Sequence, residues 1–223
     1  MVISVKPKDK SIEIGRIEGW VEIIVRDKDG RLKYYRGYAH RKPSVDVGEL
    51  KTLQDRIDEE LERVNRKVKT DGGGLGSIIN VLSPALPAKF LDFYWRKNVI
   101  TNVGLAEIIK LVFNLGGTPF TYLAIGTGTT AEAVTDTALE NEIARKSATV
   151  TQETTDVDGD TAKLEATFSS DDGLTGTSDV SECGVFNASS GGVLLARKTF
   201  SPVPLNWDAG DSLTIRYYIQ MAR

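Results

Sequence analysis

Leu213-Thr214-Ile215-Arg216-Tyr217-Tyr218-Ile219-Gln220-Met221 is the most regular stretch of the chain. Leu213, Ile215, Tyr217, Ile219 and Met221 share one face, and Thr214, Arg216, Tyr218 and Gln220 share the other. A period of two puts alternate side chains on opposite faces of a strand. Working back along the chain, Leu164, Ala166 and Phe168 alternate with Lys163, Glu165 and Thr167. Val185-Phe186 and Val193-Leu194-Leu195 flank a turn cluster, Asn187-Ala188-Ser189-Ser190-Gly191-Gly192. Thr121-Tyr122-Leu123-Ala124-Ile125 is a short apolar run that stops at Gly126. Short strands separated by turn clusters predict a mainly β fold, with an antiparallel β-sandwich or jelly-roll-like domain over 99–223. A helix opens this domain. Leu105, Ile108, Ile109 and Val112 keep the i, i+3, i+4, i+7 spacing of an apolar helix face, with Thr101 or Asn102 as cap and Gly116-Gly117 as stop.

Residues 1–46 read as an N-terminal β region suited to docking. Val21, Ile23 and Val25 alternate with Trp20, Glu22, Ile24 and Arg26, so both faces carry apolar residues and the strand is expected to be covered on both sides. Asp27-Lys28-Asp29-Gly30 is a hairpin turn, and Leu32, Tyr34 and Tyr38 lie on the return strand. A hairpin alone is marginal in water, so it must pack on the rest of the chain or on a partner.

Residues 47–70 predict an amphipathic, coiled-coil-like helix. Val47, Gln54, Leu61 and Val68 fall at a, and Leu50, Ile57 and Val64 at d, which gives an apolar seam interrupted only by Gln54. The seam suits self-association; the alternative is a helix lying on its own domain. Residues 71–98 read as a linker, broken by Gly72-Gly73-Gly74, Pro84 and Pro87.

Composition removes many chemistries. With 28 Lys and Arg against 31 Asp and Glu, the net charge is -3. That argues against bulk-charge binding of nucleic acid. One cysteine, Cys183, excludes an intramolecular disulfide and multi-cysteine metal sites within one chain. One histidine, His40, excludes multi-histidine sites within one chain, and its place beside Arg41-Lys42 argues against catalysis. The start of the chain lacks the apolar core of a signal peptide, and no run has the length of a spanning helix, so no membrane contact is expected.

Several motifs invite a function. Gly126-Thr127-Gly128-Thr129-Thr130-Ala131 fits a loose dinucleotide fingerprint, but no βαβ unit surrounds it, and a strand-ending turn is the better reading. Asp156, Asp158 and Asp160 alternate like cation ligands. The EF-hand positions fail, because Gly159 sits fourth and Thr167 twelfth, so an acidic hairpin tip is favoured over a metal site. Cys183 lies in an apolar strand and reads as a buried thiol. Trp20, Trp95 and Trp207 are candidates for sugar stacking or for packing. No catalytic set and no cofactor site can be assembled.

An ordered set of motifs resembles structural proteins of tailed phages and some archaeal viruses, over about residues 100–223. Its members are Asn102-Val103-Gly104-Leu105, Tyr122 to Thr130, Asp136-Thr137-Ala138-Leu139-Glu140-Asn141-Glu142 with Arg145-Lys146, Glu182-Cys183-Gly184-Val185-Phe186-Asn187, Gly192-Val193-Leu194-Leu195-Ala196-Arg197, and Phe200. The resemblance implies a non-enzymatic virion protein, an oligomeric subunit of a tail fibre, a tail tip or baseplate, or a turret at a capsid vertex. Its implied partners are its own copies, other virion proteins and a host-surface glycan or receptor. The alternatives are a carbohydrate-binding adhesin with an exposed aromatic platform and, behind it, a hydrolase with converging carboxylates.

Overall fold

The computed structural model of the chain describes residues 16–38, 41–70, 91–94 and 98–222. Among the described residues, eleven strands form two sheets. The strands are β1 (Arg16–Arg26), β2 (Leu32–Tyr38), β3 (Leu91–Tyr94), β4 (Val99–Ile100), β5 (Tyr122–Gly126), β6 (Glu142–Ser147), β7 (Thr149–Glu153), β8 (Thr161–Phe168), β9 (Thr177–Phe186), β10 (Leu194–Asn206) and β11 (Ser212–Ala222). The helices are α1 (Val47–Thr70) and α2 (Asn102–Val112). One sheet has the order β3-β2-β1-β11-β8-β7, and the other β4-β10-β9-β5-β6. Pairing is antiparallel except between β2 and β3.

The fold is mainly β and sandwich-like, because the inward faces of both sheets share one core. Val21, Ile23, Phe168, Leu213, Ile215 and Tyr217 of the first sheet meet Leu123, Ile125, Cys183, Val185 and Val203 of the second. All of these are at most 1% exposed. Excluding that much apolar surface from water is the dominant favourable term of such a fold.

The N-terminal strand is not a separate docking element. All of β1 pairs with β11, from Arg16 opposite Ala222 to Arg26 opposite Ser212, and it lies between β2 and β11. The boundaries read at 46 and 99 therefore do not separate two packing units. The turn after β1 follows its sequence signal. Gly30 takes φ 77°, and the Asp27 carboxylate accepts the backbone N–H groups of Asp29 and Arg31 at 2.9 Å each.

Both faces of β1 are covered, as its sequence requires. Ile24, Leu32, Tyr35 and Val45 form a second cluster outside the sheet, closed by Leu53 of α1 with Leu50 and Ile57 beside it. The first half of α1 therefore lies on its own sheet. Among the described side chains of α1, Leu53, outside the heptad seam, is buried deepest at 2% exposure, whereas Val47 is 68% exposed. Gln54 donates to Asp58 at 2.9 Å along the helix surface. The side chains of Leu61, Val64 and Val68 lie outside the described residues.

Helix α2 packs by Gly104, Glu107 and Ile108 and turns the rest of its apolar stripe outward. Thr101 caps it, its hydroxyl accepting the Gly104 N–H at 3.0 Å. The side turned to the sandwich carries Gly104 and Glu107, with Ile108 beside the core. A Cβ on Gly104 would stand 2.7 Å from Leu195 Cα, so glycine lets the helix rest on the β10 backbone. Glu107 accepts the Thr118 N–H at 2.8 Å and the Asn187 amide at 3.2 Å. These two residues set the rotation of the helix and leave Leu105, Ile109 and Val112 exposed.

A truncated chain beginning at Asn98 removes β1, which leaves the pairing edge of β11 open and takes Val21, Ile23 and Val25 out of the shared core. It should lose the cooperative urea transition that the full chain shows by circular dichroism.

Candidate functional site

Segment 127–141, between β5 and β6, lies over the outer face of the second sheet. Leu139 packs there with Ala124, Phe186 and Leu194. The segment is held by charge. Glu182 and Arg197, on neighbouring strands β9 and β10, are 0% and 3% exposed. Burying such ions is costly unless they are paired, and Arg197 Nη2 stands 2.9 Å from Glu182 Oε2 as an ion pair without a hydrogen bond. Oε1 of Glu182 accepts the N–H groups of Gly128 at 3.0 Å and Asn141 at 2.7 Å. Oε2 accepts the Glu140 N–H at 3.0 Å and Arg197 Nε at 2.9 Å.

The loop returns charges of its own. Arg197 Nη1 donates to Asp136 at 2.9 Å. Burial opposes the Arg197 charge, but Asp136 and Glu182 outweigh it and raise its pKa. Lys198 Nζ donates to Glu132 at 2.9 Å, and the Thr199 N–H reaches the same carboxylate at 3.2 Å. Glu140 folds back on the Thr130 N–H at 2.7 Å and its hydroxyl at 2.8 Å. Those bonds hold the Glu140 carboxyl below its ordinary pKa, the backbone N–H contributing most. Burial alone would raise the Glu132 pKa, yet the Thr199 hydroxyl and Lys198 outweigh it and keep it low. Gly126 and Gly128 are needed at close quarters, since a Cβ on either would come within 2.5 Å of Glu182 Oε1.

The motifs Gly126 to Thr130, Asp136 to Glu142, Glu182 to Asn187 and Gly192 to Arg197 thus converge on one knot. Its roles were not assigned from sequence. The available signal was a charged residue inside each of two apolar strands, Glu182 and Arg197, which burial obliges to pair. The Gly-Thr stretch ends β5 at Gly126, and its N–H groups are spent partly on protein carboxylates.

The acidic triplet is the tip between β7 and β8, where Asp156 and Asp160 share the Gln220 amide. Both oxygens of Asp160 are occupied, by the N–H groups of Thr155, Asp156 and Val157 and by Gln220 and Thr161. These donors, Gln220 foremost, outweigh burial and hold the Asp160 carboxyl far below its ordinary pKa. Asp156 accepts from Gln220 at 2.7 Å, and Asp158 from the Thr154 hydroxyl at 3.0 Å. Among the described residues, no group of three or more His, Cys, Asp or Glu is placed to hold a metal ion. A hollow of about 370 Å³ beside this tip has Asp160 as the sole carboxylate among its lining residues.

Cys183 is fully buried, and burial pushes its thiol well above the ordinary range. Trp20 is 5% exposed and stacks on Tyr218, with ring centroids 5.1 Å apart. Trp207 is 1% exposed and donates its indole N–H to Ser178 at 3.0 Å. Neither forms an exposed platform; Trp95 and His40 lie outside the described residues. A second hollow, of about 620 Å³, is lined by Arg26, Arg31 and Arg56 between the first hairpin and α1. Its arginines are engaged with protein acceptors: Arg26 with Glu49, Arg31 with Asp29, and Arg56 with the Leu32 carbonyl.

The fold and the knot define a two-sheet β protein whose most highly connected charges act on the protein itself. No family model, no curated protein and no solved structure matches the chain.

Two outcomes follow, one from the knot and one from the domain's hydrogen-bonded carboxylates. Arg197→Ala leaves Glu182 buried without its cation and should cost about 3–5 kcal/mol of stability by urea denaturation. Glu107, Glu132, Glu140 and Asp160 all have lowered pKa values in the folded state. The unfolded chain therefore binds protons first as pH falls. Their stabilisation is complete above the ordinary carboxylate values, 4.5 for Glu and 3.8 for Asp, and is lost as pH drops through the folded values. The melting temperature should hold from neutral pH to about 4.5 and fall below it.

Proposed function

We propose that the chain is a non-enzymatic structural protein of a virion, an oligomeric subunit of an appendage such as a tail fibre, a tail tip or baseplate, or a capsid-vertex turret. The observation that carries this reading is the knot around Glu182 and Arg197. The motifs that carry the resemblance meet there, and their charged groups bind one another instead of facing a cavity. A subunit that endures outside a cell needs such internal satisfaction more than it needs free carboxylates.

The same reading includes the finer expectations for the fold. The sandwich would be jelly-roll-like, and the distal seam of α1, with Leu61, Val64 and Val68, would meet a second copy as a coiled coil. Its partners would be its own copies and other virion proteins, with a host-surface glycan or receptor at the exposed end. The adhesin alternative asks for an exposed aromatic platform, which Trp20 and Trp207 do not supply. The hydrolase alternative asks for converging acids, and Asp156, Asp158 and Asp160 are engaged in the hairpin tip.

An antibody raised against the chain should label projections on intact virus particles from cells that carry its gene. Purified particles that lack the chain would overturn the reading, and specific binding on a glycan array would then favour the adhesin.

A further inference from the structure

Helix α2 presents an apolar surface that the sandwich does not use. Leu105, Ile109 and Val112 stand at i, i+4 and i+7 and are 41%, 53% and 65% exposed. Phe113 and Leu115, just past the helix, are each 65% exposed. Val134, whose carbonyl accepts the Asn102 N–H at 2.8 Å, adds a side chain 52% exposed. Rotating the helix to bury this stripe would break the Gly104 contact with β10 and the Glu107 bonds described above. The outward stripe is therefore built into the domain.

Area and charge point to the same occupant. At these exposures the six side chains present on the order of 500–600 Å², the upper end for the largest apolar patch of a monomer. Two such faces brought together would bury on the order of 1,000–1,200 Å², which reaches the lower bound of a specific protein–protein interface. From Asn98 to Val134 the charged residues are Glu107, Lys110 and Glu132. Glu107 pairs with Lys110 and Glu132 with Lys198, at 2.9 Å each. The face is neutral, so a second copy meets no repulsion, and an acidic or basic partner finds no counter-charge.

We propose that this face is a contact between two copies of the chain, with α2 of one lying on α2 of the other about a two-fold axis near Ile109. A self-complementary patch of this kind suits an isologous contact. The proposal deepens the oligomeric part of the reading above and rests on it there; membership of a particle is tested separately by the labelling experiment.

Light scattering on the full chain, across a dilution series, provides the test. The wild type should be a dimer or a larger multiple. Ile109→Glu should at least halve the mass while circular dichroism and the melting temperature stay unchanged, because the substituted side chain points to solvent. A wild type that is monomeric throughout would overturn the proposal. So would an Ile109→Glu variant of unchanged mass, and a mass lowered only by Leu61→Glu would then assign assembly to α1. Ile109→Cys gives an independent readout, since Cys183 is fully buried. A short bismaleimide should link Ile109→Cys copies into a covalent dimer, and a chain that stays unlinked would overturn the contact even if the glutamate variant fails to fold.

Discussion

Backbone pairing between Arg16–Arg26 and Ser212–Ala222 is the constraint on which the rest of the structure depends. It brings segments from opposite ends of the chain side by side in the interior of one sheet. The register sets Ile23 opposite Ile215 and Val21 opposite Tyr217 on the side that meets the second sheet. The same register turns Ile24 outward, where an uncovered apolar side chain would face water. Helix α1 answers that requirement with Leu50, Leu53 and Ile57. On the same outer side, Glu22 accepts the Tyr35 hydroxyl at 2.6 Å, the Ser44 N–H at 2.9 Å and the Tyr218 hydroxyl at 3.2 Å. Burial, and then the Glu22 charge, raise the Tyr218 pKa, so that hydroxyl remains a donor.

The second sheet solves the equivalent problem with polar chemistry. Its outer face is roofed by an irregular segment, 127–141, whose backbone N–H groups have no strand partner across the sheet. Glu182 supplies acceptors for three of them, and Arg197 balances its charge. The arrangement makes Gly126 and Gly128 indispensable, because the carboxylate occupies the space a side chain would need. It also explains how a long loop without regular structure can be part of a well-packed domain. The loop behaves as a further layer of the sandwich, pinned at Glu132, Asp136 and Glu140 to β9 and β10.

Much of the local structure was legible in the chain. Asp27 to Gly30 reads as a turn because an Asp side chain and a glycine at positive φ are a local solution to reversal. The limits of α1, the Thr101 cap and the acidic tip between β7 and β8 were legible for the same reason, since neighbouring residues decide them. The knot was half visible. Glu182 and Arg197 could be recognised as charges in apolar strands, but their shared partner, a loop more than forty residues upstream of Glu182, could not.

Sequence by itself determined both helices, most of the strands and the two-sided burial of β1, because periodicity and caps are properties of adjacent residues, whereas β3 (Leu91–Tyr94) lies in the stretch read as a linker and owes its pairing to β2. Tertiary structure alone decided that β1 belongs between β2 and β11 instead of in a separate docking region. It alone decided that α1 spends Leu50 and Ile57 on its own sheet. It alone decided that α2 turns Gly104 and Glu107 inward and Leu105, Ile109 and Val112 outward. A stripe of apolar residues states that a helix has a face. Which face meets the sandwich is set by steric approach to the β10 backbone and by the donors that Glu107 finds there, and those arise only when distant segments come together.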